Sequence, residues 1–374
     1  MTNVSCRRPS RAAADDARWM RRALAHARRG LGRTTPNPVV GACIVSEDGV
    51  VLGQGAHERA GEAHAEVHAL EEAGEQARGA TLYCTLEPCV HVGRTGPCTD
   101  RIIAAGIRRV VAAMEDPYPQ VRGRGFATLR AHGIQVDVGA CEEEAARLNQ
   151  PFLTTVRTGR PFVILKAATS LDGRIAARAG ERTAITSSQA LRHAQYQRAM
   201  VDALGVGSET VLVDDPLLTA REIFRERPLV RVLFDRRLRT PPGARVLTTL
   251  AAGPVIILTT RQAKQEFPHR ADALERAGAT VVAPELNGLV PALHELAARD
   301  IQSLLVEGGA ALHAGLWDAG VVDYVQMYVA PMTLGSEGVP MLDGRDFMAA
   351  ALLEQRVDQL GPDVLIEGYV HRPH

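Results

Sequence analysis

Strand signals bounded by Gly or Pro alternate with helically spaced segments along the chain, and the alternation starts afresh near Phe162. No other feature constrains the fold as much, because alternating strands and helices pack as layered α/β units. In the first run, Val39 to Ser46 and Val50 to Gly55 read as a hairpin turned at Glu47-Asp48-Gly49. His64 to Ala77 has helical spacing through Val67, Leu70 and Ala73. Strands follow at Ala80 to Cys84, Ile107 to Ala112 and Ile134 to Val138, with a helix around Phe126 to Ala131. The pattern predicts a three-layer α/β/α sandwich over residues 15–149 and, after a linker over 150–161, a separate α/β domain over 162–372. The second run places strands at Phe162 to Ala167, Ala203 to Val206, Val230 to Phe234, Val255 to Leu258, Thr280 to Val282 and Ser303 to Val306. Its final strands fall near Tyr324 to Val329 and Val364 to Val370, and Ser188 to Met200 reads as a helix.

At 374 residues the chain is long enough for two or three cores. Its 43 basic and 43 acidic residues cancel, so charge offers no pull toward nucleic acid or a membrane surface. Aromatics at 4% are too few for base-stacking platforms. No apolar run matches a transmembrane helix, and the Arg-rich start lacks the apolar centre of a secretory signal. Asp15 and Asp16 count against a mitochondrial transit peptide; Trp19, Met20, Ala23, Leu24 and Ala27 instead predict a first core helix. The six cysteines read as reduced thiols of a cytoplasmic protein, any clustered pair being suspected of holding metal.

Such a cluster is present. His64-Ala65-Glu66 opens a predicted helix, Glu87-Pro88-Cys89 is expected to begin another after a strand, and Cys98 follows a short Gly- and Pro-containing insert. A catalytic zinc keeps three nitrogen or sulfur ligands and one open position. His64, Cys89 and Cys98 supply one imidazole and two thiolates, and one zinc per chain is expected. A helix start after Pro88 would favour the Cys89 thiolate, and Glu66 is placed to move protons between water and a leaving amine. Zinc nucleobase deaminases carry H-x-E with P-C-x-x-C; here eight residues separate the two cysteines instead of two. Taken singly, His64 reads better as a helix cap and each cysteine as a small core residue. Their order, each beside a predicted helix start, favours the metal.

Thr35-Pro36-Asn37-Pro38-Val39-Val40-Gly41, His64-Ala65-Glu66-Val67, Thr85-Leu86-Glu87-Pro88-Cys89 and His91-Val92-Gly93-Arg94-Thr95-Gly96-Pro97-Cys98 together resemble the bifunctional riboflavin-biosynthesis deaminase/reductase family, which uses the long cysteine spacing. The resemblance implies a cytidine-deaminase-like first domain that removes the pyrimidine amino group of a diaminohydroxy-phosphoribosylaminopyrimidine. It assigns Asn37, His57, His91 and Arg94 to the pyrimidine and phosphate pocket. Amide and imidazole groups suit ring edges, and a guanidinium suits phosphate. The plainer readings are a turn between prolines for Asn37 and a solvated loop charge for Arg94.

Three later segments resemble the reductase half of that family: Lys166 to Gly173, Gly207 to Pro216 with Leu218 and Arg221, and Val306-Glu307-Gly308-Gly309-Ala310. The last runs from a strand into a helix, where glycines and a helix N-terminus suit a phosphate. No G-x-G-x-x-G stands at a first βα turn. The resemblance covers roughly residues 15 to 370. It implies a dihydrofolate-reductase-like α/β fold, NADPH, and reduction of the ribose to a ribityl chain after deamination. It assigns Ala168, Ala184, Thr210, Asp214 and Gly309 to the cofactor, and Arg182, Arg198, Leu218, Arg221 and Glu307 to the substrate, with arginines on its phosphate. Plainer readings are a turn cap for Asp214, core for Leu218 and a solvated helix face for Arg198. The chain departs from the family at Ala184, where members commonly have Trp, at Arg182, where a small polar residue is usual, and at Arg236, where some have Ser. The resemblance also suggests a homo-oligomer. Two other functions fit parts of the pattern: a deaminase of a nucleoside or tRNA base with a structural C-terminal domain, and a non-catalytic zinc-binding interaction protein. Neutral charge and the long cysteine loop oppose the first, and the presence of Glu66 opposes the second.

Overall fold

The computed structural model describes residues 11–90, 96–345 and 347–372. The chain divides into two compact units, the first ending at Arg157 and the second beginning at Thr158.

In the first unit, helix α1 (Arg11–Ala27) precedes the hairpin β1 (Gly41–Val45) and β2 (Val51–Ala56). Helix α2 (Ala65–Ala73) leads to β3 (Thr81–Cys84), and α3 (Cys98–Ala104) to β4 (Arg109–Ala112). Helix α4 (Arg124–Ala131), β5 (Gln135–Val138), α5 (Glu142–Leu148) and α6 (Gln150–Thr158) complete it. The sheet order is β2-β1-β3-β4-β5, antiparallel around β1 and parallel from β3 onward. Met20, Ala23, Leu24 and Ala27 form the fully buried face of α1, as their spacing predicts. Burial of a side chain such as Met20 or Leu24 contributes about 1.5–3 kcal/mol.

Two expectations fail here for physical reasons. The stretch 150–161 is mostly helix α6, because Phe152 and Leu153 are buried in the first unit's core with Val156 packed beside them. Asn149 ties that end of the unit to its beginning: Oδ1 accepts from Val39 N at 2.9 Å and Nδ2 donates to Val39 O at 3.0 Å. Nor does a helix start at Cys89. Cys89 lies in a loop, and the helix N-terminus belongs to Cys98.

The second unit carries a nine-stranded sheet of order β11-β10-β9-β8-β12-β6-β13-β16-β15. These strands are β6 (Phe162–Ser170), β8 (Ala203–Gly207), β9 (Val230–Phe234), β10 (Val255–Leu258), β11 (Thr280–Val282), β12 (Ser303–Val306), β13 (Tyr324–Ala330), β15 (Leu353–Leu360) and β16 (Asp363–Tyr369). It is parallel except where β16 pairs with β13 and β15. Short strands β7 (Arg174–Ala176) and β14 (Val339–Pro340) make a separate ribbon. Helices α7 (Ser188–Met200), α8 (Ser208–Asp214) and Ala310–Asp318 stand near the strand ends that form the cavity described below. Among the described residues no helix is long and apolar enough to cross a membrane.

Candidate functional site

The first unit gathers its polar chemistry at the N-termini of α2 and α3. His64 is the extended residue just before α2, and Glu66 lies in that helix's first turn. Helix α2 sits directly on the hairpin because residue 55 is glycine. A Cβ there would stand 2.2 Å from Ala65 O, forcing the helix and its active end off the sheet. Cys98 opens α3. His64 Nδ1 lies 3.2 Å from Cys98 Sγ and 3.5 Å from Cys89 Sγ. All three ligand atoms fall within 4.8 Å of one another, and among the described residues this is the group of three that could hold a metal ion. Such soft donors, three in number and convergent, fit a zinc with one open position.

Glu66 completes the cluster. Its side chain is 3% exposed and Oε2 has no hydrogen-bond partner. Burial pushes its carboxyl up to about 7. Cys84, buried on β3, has its Sγ 3.9 Å from Val111 O and is not among the three ligand atoms, and burial raises its thiol well above the ordinary range. His57, also buried, meets His64 edge-on with ring centroids 5.2 Å apart. Its Nδ1 pairs with Ala63 O at 3.1 Å and its Nε2 with Asn37 Nδ2 at 3.0 Å. One ring nitrogen donating and the other accepting describes neutral imidazole, in keeping with the lowering of its pKa by burial. Asn37, His57, His64, Cys89, Cys98 and Glu66 therefore converge. His91 and Arg94 lie outside the described residues.

In the second unit a cavity of about 1110 Å³, at the upper end of small-molecule sites, is lined by Ala168, Arg182, Ala184, Thr210, Asp214, Glu307 and Gly309, together with Arg236. The turn Gly308-Gly309 joins β12 to the helix Ala310–Asp318, and Gly308 has a φ of 122° that side chains rarely adopt. Gly309 faces Thr210, a Cβ on it standing 3.4 Å from Thr210 Oγ1, and both residues line the cavity. A helix N-terminus bordering the cavity suits a phosphate, because the first N–H groups of a helix lack intrahelical partners. Burial raises the Asp214 carboxyl while nearby Arg182 opposes the shift.

Arg198, Leu218 and Arg221 stand outside this lining. Arg198 forms a two-pronged pair with Glu307, Nε to Oε1 at 2.7 Å and Nη2 to Oε2 at 2.5 Å, and its Nη1 donates to Thr219 O. Leu218 is buried core with a left-handed φ of 53°. Arg221 is exposed, its backbone N–H donating to Gln195 Oε1.

Lys166 was not singled out by sequence. It lies on β6 in the cavity wall, with Nζ 5.3 Å from the centroid of the Tyr328 ring. Burial lowers its pKa, and the Glu307 charge counteracts this. Burial alone would raise Glu307, but the charges of Arg198 and Lys166 outweigh it and hold the carboxyl at about 2. The available signal was a lysine inside an otherwise apolar strand, since buried lysines need partners.

His313, in the first turn of the helix after Gly309, is fully buried and also borders the cavity. Neither ring nitrogen has a hydrogen bond of good geometry, although backbone groups at Val306 and Met341 slightly favour the cation. Burial dominates and lowers its pKa from 6.5 to about 4. Below 6.5 the unfolded chain binds a proton that the folded chain refuses, so this residue removes stability as pH falls toward 4. The slope is about 1.4 kcal/mol per pH unit. Replacing His313 by Leu should abolish that slope, read as the difference in urea unfolding between pH 7 and pH 5. Equal slopes in both proteins would mean the imidazole titrates freely.

A zinc deaminase fused to a dinucleotide-dependent reductase is the class that two such sites define in one chain. The family model for the cytidine and deoxycytidylate deaminase zinc-binding region matches residues 13–114, and that for the RibD C-terminal domain matches residues 161–366. Riboflavin biosynthesis protein RibD of Escherichia coli is 42% identical over 370 residues, covering 94% of this chain and 98% of its own length. The solved structure of Acinetobacter baumannii RibD superposes with a TM-score of 0.83 at 38% identity, over 95% of this chain and 98% of that one. A Thermotoga maritima structure, described as a diaminohydroxyphosphoribosylaminopyrimidine deaminase/5-amino-6-(5-phosphoribosylamino)uracil reductase, gives a TM-score of 0.81 at 35% identity, over 95% and 99% of the chains. The chain belongs to the RibD family of riboflavin biosynthesis proteins.

Proposed function

We propose that residues 15–149 deaminate 2,5-diamino-6-(5-phosphoribosylamino)pyrimidin-4-one and that residues 162–372 then reduce its ribosyl group to ribityl with NADPH. The convergence of His64, Cys89 and Cys98 beside the orphaned Oε2 of Glu66 carries this reading. The three residues would hold zinc, which would supply the Lewis acidity that lowers the pKa of water toward neutral. Glu66 Oε2 takes a proton from the attacking water and returns it to the departing amine, so ammonia leaves and a carbonyl remains. Asn37 and the neutral His57 read the pyrimidine edge, joined by His91 and Arg94 at the ring and phosphate.

In the second unit the Gly309 turn, Thr210, Asp214, Ala168 and Ala184 hold the cofactor, which supplies the hydride. Glu307, Arg221, Arg182 and Arg198 hold the substrate, Arg198 through its grip on Glu307, and Leu218 shapes the wall behind it. Lys166 Nζ, in the cavity wall, would give its proton to the ribose ring oxygen, which together with the hydride a bound cofactor would supply balances the two-electron reduction. The reading needs no membrane or nucleic-acid partner and puts the enzyme in the cytoplasm, and the family resemblance alone suggests a homo-oligomer.

A deamination assay on the phosphorylated diaminopyrimidine, with and without NADPH, tests both halves. Turnover of a free nucleoside or a tRNA base in its place would overturn the substrate assignment. Cys98→Ser should release most of the zinc as measured by metal analysis, while Cys84→Ser should keep one zinc per chain. Full retention in Cys98→Ser would point to another ligand.

A further inference from the structure

We infer that Glu87 is a positioning residue of the zinc centre, its carboxylate fixing the loop that presents Cys89. This rests on the proposed metal role of His64, Cys89 and Cys98. Glu87 lies just beyond β3 and two residues before Cys89, and its side chain is 3% exposed. Burying a carboxylate so thoroughly is unfavourable unless its oxygens are filled. Here four backbone groups fill them. Oε1 accepts from Gly125 N at 2.8 Å and Phe126 N at 3.3 Å, while Oε2 accepts from Gly123 N at 2.9 Å and Asp116 N at 3.2 Å. Three of those donors belong to the start of α4 or the glycine before it, where N–H groups have no intrahelical partner. The fourth, at Asp116, comes from the segment after β4.

The carboxylate therefore joins the cysteine loop to chain 29 to 39 residues further on, the segment after β4 and the start of α4. Residue 125 shows how close that joint is. A Cβ at Gly125 would stand 2.2 Å from Pro88 O, so α4 presses on the peptide that leads into Cys89. Cys89 has no helix or strand of its own to hold it, being a loop residue between β3 and α3. Its carbonyl accepts from Thr99 N at 3.2 Å and its Sγ from Cys98 N at 3.4 Å, which tie it forward to α3. Glu87 provides the tie on its other side. Groups that orient a ligand without touching the metal commonly set its affinity by 10- to 100-fold.

The conservative test is Glu87→Gln in the full chain, with Glu87→Asp as a second variant. An amide keeps the volume but turns an NH2 group toward two backbone donors, whereas aspartate keeps the charge and reaches fewer of the four. Zinc affinity is measured by competition with a chromogenic chelator, and ligand geometry by the thiolate-to-metal absorption bands of the cobalt-substituted protein. The expected result is a 10- to 100-fold weaker zinc affinity in Glu87→Gln. Altered cobalt bands and partial recovery in Glu87→Asp should accompany it, which general destabilisation would not produce. Wild-type affinity and unchanged bands in folded Glu87→Gln would overturn the inference. Failure of both variants to fold in zinc-saturated buffer would overturn it too, making Glu87 a general requirement of the fold. Wild-type protein that takes up no zinc would instead sink the metal reading itself.

Discussion

Glu66→Gln should retain its zinc and lose deamination by about 10²–10⁴-fold, the usual contribution of a positioned general acid–base group. Glutamine fills the same buried volume, so the fold and the three ligands should stay in place. What it lacks is an oxygen able to carry a proton from water to the leaving amine. The orphaned Oε2 is the structural basis: a buried carboxylate oxygen without a partner has a partner missing from the protein itself. Three measurements on one preparation decide the matter: zinc content, deamination rate, and NADPH oxidation with an already deaminated substrate. Zinc content and NADPH oxidation should match wild type. A deamination rate near wild type would remove Glu66 from the proton path.

Glu307→Gln should have the largest effect in the second unit, on stability and on rate together. The carboxylate pairs with Arg198 through both oxygens and offsets the charge of Lys166, which is half-buried in the cavity wall. Removing one member of a buried ion pair typically destabilises by about 3–5 kcal/mol, because the remaining charge keeps its desolvation penalty. Here two cations would be left behind. With Glu307 neutral, burial acts on Lys166 without its main counterweight, so the ammonium loses its proton more readily. The loss of that acid corresponds to about 10²–10⁴ in rate. Denaturant unfolding and stopped-flow NADPH oxidation read the two effects separately. Normal oxidation in a folded Glu307→Gln protein would take the residue out of the site. No oxidation by wild-type protein that deaminates normally would mean that this half has lost its reaction. The substitutions at Ala184, Arg182 and Arg236 make that comparison informative, since all three line the cavity where members of the family commonly carry other residues.

Local pattern determined much of this protein. Ser188–Met200, Val230–Phe234 and Ser303–Val306 occur at the boundaries their spacing predicts, because residue spacing is a short-range signal. His64, Glu66, Cys89 and Cys98 were legible for a similar reason: metal and proton chemistry restrict residue type and order so strongly that the list nearly names the site. Tertiary packing decided the rest. The segment at Gln150–Thr158 has no strong boundary signal, and its core contacts make it a helix of the first unit. The helix start expected at Cys89 lies at Cys98, and the carboxylate of Glu87, just before Cys89, accepts from the start of α4. Arg198 looked like a phosphate ligand, yet its guanidinium is turned onto Glu307, 109 residues away. Lys166 and Glu87 gave little sign of their roles, because a buried charge acquires its meaning from partners that only the folded chain brings within reach.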